Sequence, residues 1–261
     1  MTVRVAVRSS IGLQAAAAAV ALAVPTAWPW AMGGVAVNQA VLAWAGMWPR
    51  STLLGPNLRR LPCSGRPEVA LTFDDGPDPE VTPLVLDLLD RHGACATFFC
   101  IGARARAYPG VVRDIVRRGH AVENHSDRHL NRFAILPPGG LGREIDGAQA
   151  TLAALAGAAP AFFRAPMGLR SPLLEPILAR RDLRLVSWTR RALDGVHGDP
   201  MTAAGRLRRD LGAGDILLLH DGRAARTPHG DPVVLAVLPG LLAELAAQGL
   251  RSVTLRTGLA A

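Results

Sequence analysis

The side chains best suited to chemistry fall in a few short segments of this 261-residue chain. Thr72-Phe73-Asp74-Asp75-Gly76-Pro77 carries two adjacent carboxylates. Like charges that close repel unless a cation sits beside them, so the segment is either an ordinary Asp-Gly turn or part of a cation site. His125-Ser126-Asp127-Arg128-His129 spaces two imidazoles four residues apart. On a helical turn they would share a face and grip one ion; alone they would be surface histidines. Asp75, His125 and His129 together supply three protein ligands, the number with which a catalytic zinc site keeps a position open for water. Arg164, in Arg164-Ala165-Pro166-Met167-Gly168, offers a guanidinium fork to a carboxylate. His220 ends the apolar run Ile216–Leu219, where partial burial would tune it for proton transfer.

These residues need elements to carry them. Apolar runs predict strands near 69–73, 96–101, 120–123, 161–164, 184–188, 215–219 and 251–255. Helical periodicity fills the intervals. Val81, Leu84, Val85, Leu88 and Leu89 form one face before a stop at Gly93, and further helices are expected over 109–118, 140–156 and 233–248. Ser171-Pro172 and Asp199-Pro200 have the form of an N-cap followed by proline at the first helical position. Strand–helix alternation implies right-handed crossovers and a parallel sheet, here a closed or nearly closed β/α barrel, with an open doubly wound sheet as the alternative. Every segment with candidate chemistry follows a strand, and in a β/α barrel the loops after the strands share one face. Residues far apart in sequence therefore converge on one mouth.

Composition sets limits. With 49% hydrophobic and 19% charged residues the chain is no disordered polymer. Three cysteines (Cys63, Cys95, Cys100) cannot staple it, and Cys95 and Cys100 read as buried free thiols. The 29 basic residues, all arginine, exceed 21 acidic ones, but they are scattered in pairs such as Arg117-Arg118 without aromatic interleaving. They read as solvated surface, and no nucleic-acid partner is expected. His92, His120, His197 and His229 read as surface residues.

Before residue 50 the pattern differs. No charge lies between Arg8 and Arg50, and Trp28, Trp30, Trp44 and Trp48 are placed as an aromatic belt would be. Two short spans, 11–24 and 35–48, would form a membrane hairpin, with a signal peptide or a single anchor as alternatives. Arginines at both ends place both ends in the cytoplasm by the positive-inside rule. The expected organisation is a membrane anchor over 1–50, a linker over 51–66 and a catalytic domain over 67–258. That domain would lie at a bacterial inner membrane, on the cytoplasmic rather than the periplasmic side.

The T-F-D-D-G-P segment, H-S-x-x-H at His125 and His129, and L-x-H at Leu218 and His220 occur in the order found in the NodB-homology polysaccharide deacetylases (carbohydrate esterase family 4), which this chain resembles from about Glu68 to Leu255. The resemblance implies a distorted seven-stranded β/α barrel and metal-dependent removal of N-acetyl, or other N-acyl, groups from amino sugars of a saccharide, polysaccharide or lipid-linked glycan. It implies that Asp75, His125 and His129 hold one divalent metal, zinc foremost, with cobalt or another ion as alternatives. Asp74 would be the base acting on water activated by the metal, with Arg164 orienting it. His220 would protonate the leaving amine and Leu218 would line the acetyl pocket. Pro166, Met167 and Trp188 would border the sugar, with a backbone N–H near Met167 sharing the oxyanion.

Two departures stand out. Ala165 and Met167 occupy positions where the family has proline and a sugar-contacting tyrosine. Arg191 stands where an aspartate would steady Arg164, and Gly195 where a second tryptophan would follow Asp194. Asp194 is left to partner either Arg164 or His220. These departures motivate the alternative of a catalytically weak, membrane-tethered saccharide-binding protein, and a metal-dependent phosphoesterase is a remoter one.

Overall fold

The computed structural model describes residues 2–62 and 65–260; Cys63 lies outside them. Two helices come first, α1 (Thr2–Ala23) and α2 (Trp28–Met47), joined through a 3-10 turn at Pro25–Ala27. They fold back on each other, and Asn38 Nδ2 donates to Ser10 Oγ at 2.7 Å across the pair. The two helices thus form a hairpin, each longer than the expected spans 11–24 and 35–48, and among the described residues no helix is long and apolar enough to span a membrane. The physical reason lies in the sequence. α1 is mostly weakly apolar alanine with Ser9, Ser10 and Gln14, and the apolar run along α2 is interrupted by Gly33-Gly34 and Asn38-Gln39.

The rest alternates: β1 (Glu68–Asp74), α3 (Val81–Arg91), β2 (Ala96–Cys100), α4 (Gly102–Ala107), α5 (Pro109–Arg117), β3 (Ala121–Asn124), α6 (Pro138–Ala156), β4 (Phe162–Phe163), α7 (Leu174–Ala179), β5 (Arg184–Leu185), β6 (Arg190–Arg191), α8 (Pro200–Arg208), β7 (Ile216–His220), α9 (Val233–Ala247), β8 (Arg251–Ser252) and α10 (Leu255–Leu259). The strands pair in parallel in the order β5-β4-β3-β2-β1-β7-β6, with β8 on the start of β1. This is a curled, incompletely closed barrel of the expected kind. The end strands β5 and β6 do not pair with each other. The linker runs into that gap: Leu58 bridges to Val186 beyond β5, and Arg60 to Asp215 just before β7.

The strand period of two sorts the core. Leu71, Phe73, Leu217 and Leu219 pack outward under the helices with Val85, Leu89 and Leu238, while Ala70, Phe99, Ile216 and Leu218 face inward with Trp188. Thr72, Asp74 and His220 share the parity of that inner set. The register pairs Thr72 with Leu218 and Asp74 with His220.

Several local expectations need correction. Asp199 caps α8, accepting from the N–H groups of Met201 and Thr202 with Pro200 in the first turn. Ser171-Pro172, by contrast, lies ahead of α7, whose N-cap position is Leu173. α4 was not foreseen. His120 is buried rather than exposed, and its Nδ1 accepts from the Ala96 N–H at 3.2 Å. Cys100 is a buried free thiol and Cys95 a partly buried one.

Candidate active site

Asp74 is the last residue of β1, and Asp75 turns out of the strand with φ 72°. On a regular strand two consecutive side chains point to opposite faces, so this left-handed residue lets both carboxylates serve one cavity. The same strained conformation recurs around the mouth at Ser126, His129, Met167, Leu193 and Arg223. Such a cluster is typical of sites where the surroundings over-determine the backbone.

His125 and His129 do not lie on a helical turn, as their spacing suggested. They lie in an irregular loop after β3 that brings the ring centroids to 4.9 Å. Its shape is set by hydrogen bonds from the Ser126 N–H to Asn124 Oδ1 and from the His129 N–H to Ser126 Oγ. His125 Nδ1 lies 2.9 Å from the Arg164 carbonyl; donating there leaves its Nε2 lone pair turned to Asp75.

Asp75 Oδ1 is buried with no hydrogen-bond partner, and the Nε2 atoms of His129 and His125 stand 3.1 and 3.4 Å from it. The three ligand atoms lie within 4.8 Å of one another. One orphaned carboxylate oxygen between two imidazole nitrogens suits a divalent metal of the zinc type, so these residues fit the ion expected of them. Burial opposes ionisation of Asp75, but the imidazoles of His125, His129 and His220 outweigh it and hold the carboxyl well below its ordinary range. Burial and the His125 charge bring His129 down to about 4.

Asp74 is gripped from the other side. Arg164 is fully buried at the end of β4, stacked 4.1 Å over Phe99, and its Nη1 donates to Asp74 Oδ1 at 2.7 Å and to Thr72 Oγ1 at 2.9 Å. Its remaining nitrogens reach the carbonyls of Ser187 (3.1 Å) and Val186 (3.5 Å). Arg164 is thus satisfied without the aspartate that Arg191 replaces. Asp194 resolves to the other candidate partner: its Oδ1 bonds His220 Nδ1 at 2.8 Å and its Oδ2 accepts the His220 N–H at 2.9 Å. Burial disfavours the charged imidazole. The Asp194 hydrogen bond and charge, with Asp74 and Asp75 nearby, overcome that and push His220 up to about 9.

These groups open into a cavity of about 370 Å³, lined also by Trp188, Leu218, Met167, Leu193 and Val196. Trp188 and Leu218 are buried walls, and Met167 is 47% exposed at the rim. Pro166 is buried and does not line the cavity; it starts the 3-10 turn Pro166–Gly168 that presents Met167. Chemically, the arrangement offers a cation site, a fixed carboxylate and an imidazolium donor around one space.

Some contributors escaped the sequence reading. Asp221 is fully buried, and its Oδ2 accepts from Thr82 Oγ1 at 2.6 Å. Burial, with Asp74 and Asp75 near, raises it to about 7. Beside it Gly222 packs so closely that a Cβ there would lie 2.1 Å from the Asp75 carbonyl oxygen, which locks the loop after β7 onto the loop after β1. An acidic residue directly after L-x-H was the available signal. Arg223, 3.2 Å from His129 Nδ1, had none.

The chain matches the polysaccharide deacetylase family over residues 62–186. It is 35% identical over 194 residues to a peptidoglycan-N-acetylglucosamine deacetylase of Bacillus cereus, an alignment of 72% of this chain and 66% of the relative, so the chain spans about two thirds of that protein. It is 36% identical over 167 residues to a chitooligosaccharide deacetylase of Sinorhizobium fredii, covering 63% of this chain and 78% of the relative. A crystal structure of a peptidoglycan N-acetylglucosamine deacetylase superposes with a TM-score of 0.69 at 31% identity, covering 78% of this chain and 92% of the other. Motifs, barrel and mouth geometry agree with these likenesses: the chain belongs to the polysaccharide deacetylase family, hydrolases of the carbon–nitrogen amide bond.

Proposed function

We propose that the protein removes N-acetyl groups from N-acetylglucosamine-type residues of a saccharide, with a divalent metal, zinc in the first instance, held by Asp75, His125 and His129. The observation that carries this reading is the pair of opposed devices around one cavity, Arg164 on Asp74 and Asp194 on His220. When bound, the ion would supply Lewis acidity to the acyl carbonyl and acidify a water.

The chain's own residues do the rest. Asp74, its Oδ1 fixed by Arg164, takes a proton through its other oxygen from the attacking water as the new carbon–oxygen bond forms. His220 enters the reaction protonated and delivers that proton to the amide nitrogen as the carbon–nitrogen bond breaks, so a neutral amine departs instead of an amide anion. Leu218 and Trp188 hold the acyl methyl, and the N–H of Met167 donates to the developing oxyanion. The products are acetate and the free amino sugar.

The test is acetate release from a chitooligosaccharide by the purified chain. Activity should stop with a chelator and return with zinc or cobalt, while Asp74→Asn should lose turnover and keep its metal. A saccharide-binding protein would instead hold sugar equally well after both treatments and release no acetate.

A further inference from the structure

Trp188 and Arg191 line a second cavity besides the one above. It encloses about 420 Å³, within the range of small-molecule sites, and its walls carry Arg50, Arg190, Arg191, Arg206 and Arg209, with Trp48 at the end of the hairpin. Several arginines elsewhere in this domain are matched by acids: Arg104 by Asp78, Arg106 by Asp127, Arg118 by Asp87, Asp90 and Asp114, Arg181 by Asp146. Around this hollow three unmatched guanidiniums come together. Arg190 is held by Asp215 and exposed Arg209 has Asp210 at 3.8 Å, but among the described residues Arg50, Arg191 and Arg206 make no ion pair. Burial and the like charges of Arg206 and Arg50 disfavour the charged form of Arg191.

Uncompensated guanidiniums around one hollow cost repulsion that a bound anion would relieve. Several planar forks suit the multiple oxygens and charges of a phosphoryl group better than they suit one carboxylate. We propose that this cavity binds a phosphoryl or diphosphoryl group carried by the amino sugar, so that the chain acts on an N-acylated sugar phosphate in preference to an uncharged oligosaccharide. The inference rests on the deacetylase reading and narrows its substrate. The phosphoryl group could belong to a soluble sugar phosphate or to a lipid-linked one. Exposed Val41, Trp44 and Met47 lead along α2 to Trp48 and would suit a lipid tail.

The full chain, loaded with zinc, is assayed for acetate release from N-acetylglucosamine 1-phosphate, from a short prenyl-diphosphate N-acetylglucosamine in detergent micelles, and from triacetylchitotriose. Phenyl phosphate binding is followed separately by calorimetry. A phosphorylated sugar should exceed the neutral one in kcat/KM by about tenfold or more, the scale of one charge-assisted hydrogen bond, and added salt should erode the preference. Arg50→Ala and Arg206→Ala should abolish the preference and weaken phenyl phosphate while leaving triacetylchitotriose turnover unchanged. Superiority of the micellar substrate assigns the site to a lipid, and parity with the soluble one to a sugar phosphate. Equal kcat/KM for charged and neutral sugars, or a preference indifferent to both substitutions, overturns the proposal. Phenyl phosphate binding that depends on Arg50 and Arg206 without any deacetylation upholds the anion site and sinks the deacetylase reading. Turnover of triacetylchitotriose without phenyl phosphate binding does the reverse.

Discussion

Replacing Asp194 by asparagine isolates the acid half of the site. The carboxylate holds both the ring Nδ1 and the backbone N–H of His220, and its charge keeps the imidazole protonated to about pH 9. A group whose pKa is raised keeps its proton below that value and loses it as pH climbs through it. The donor should therefore be present at neutral pH and fail on the alkaline side. Asparagine keeps the shape but removes the charge; burial, which disfavours the imidazolium, stays, and so do the charges of Asp74 and Asp75, which favour it. His220 should then titrate near its ordinary ~6.5. At pH 8 the protonated fraction falls from about nine-tenths to about 3%, so kcat/KM should drop roughly 30-fold there and recover toward pH 6. The assay is a pH profile of kcat/KM for acetate release by both proteins, with metal content measured in each. An alkaline limb that stays in place in Asp194→Asn, or a loss equal at every pH, would refute the assignment of His220 as the proton donor.

Other outcomes follow from the same geometry. Saturating zinc at a hundredfold over its Kd should stabilise the fold by about 2.7 kcal/mol, raising Tm by roughly 5–10 °C, and Asp75→Ala or His129→Ala should remove that shift in a thermal melt. Arg164→Lys cannot reach Asp74, Thr72 and two carbonyls at once, so kcat should fall about a hundredfold with KM little changed in steady-state kinetics. Gly222→Ala forces a methyl against the Asp75 carbonyl and should cost about 2–3 kcal/mol in urea unfolding, with activity lost before the fold is.

What could be read beforehand was what depends on local period. The apolar runs end at Asp74 and His220, and strand alternation then dictates that both face inward, so the mouth was legible from order alone. The pairing of Asp194 with His220 instead of Arg164 was not, because it is decided by which residue the chain after β6 lays against β7. The two histidines were found, but their helical setting was wrong: Ser126 and Asn124 divert the backbone with side-chain hydrogen bonds that compete with a helix. The uncharged stretch before residue 50 folds into paired helices, but among the described residues none is long and apolar enough to cross a membrane, because an uncharged stretch is not necessarily an apolar one. Arg50 lies in the turn after α2 and Arg206 on α8, and only tertiary folding makes them neighbours of Arg191.

The strip of chain that enters the gap between the end strands has a practical meaning. Ser187 lends its carbonyl to Arg164, while its hydroxyl lies within hydrogen-bond reach of both the Pro49 carbonyl and Asn57 Oδ1. Trimming the protein to the stretch where family likeness begins, at residue 62, would thus strip the outer brace from the residue that steadies Arg164. Whoever prepares a shortened form should expect a barrel that folds yet works sluggishly, and should cut ahead of Trp48 instead.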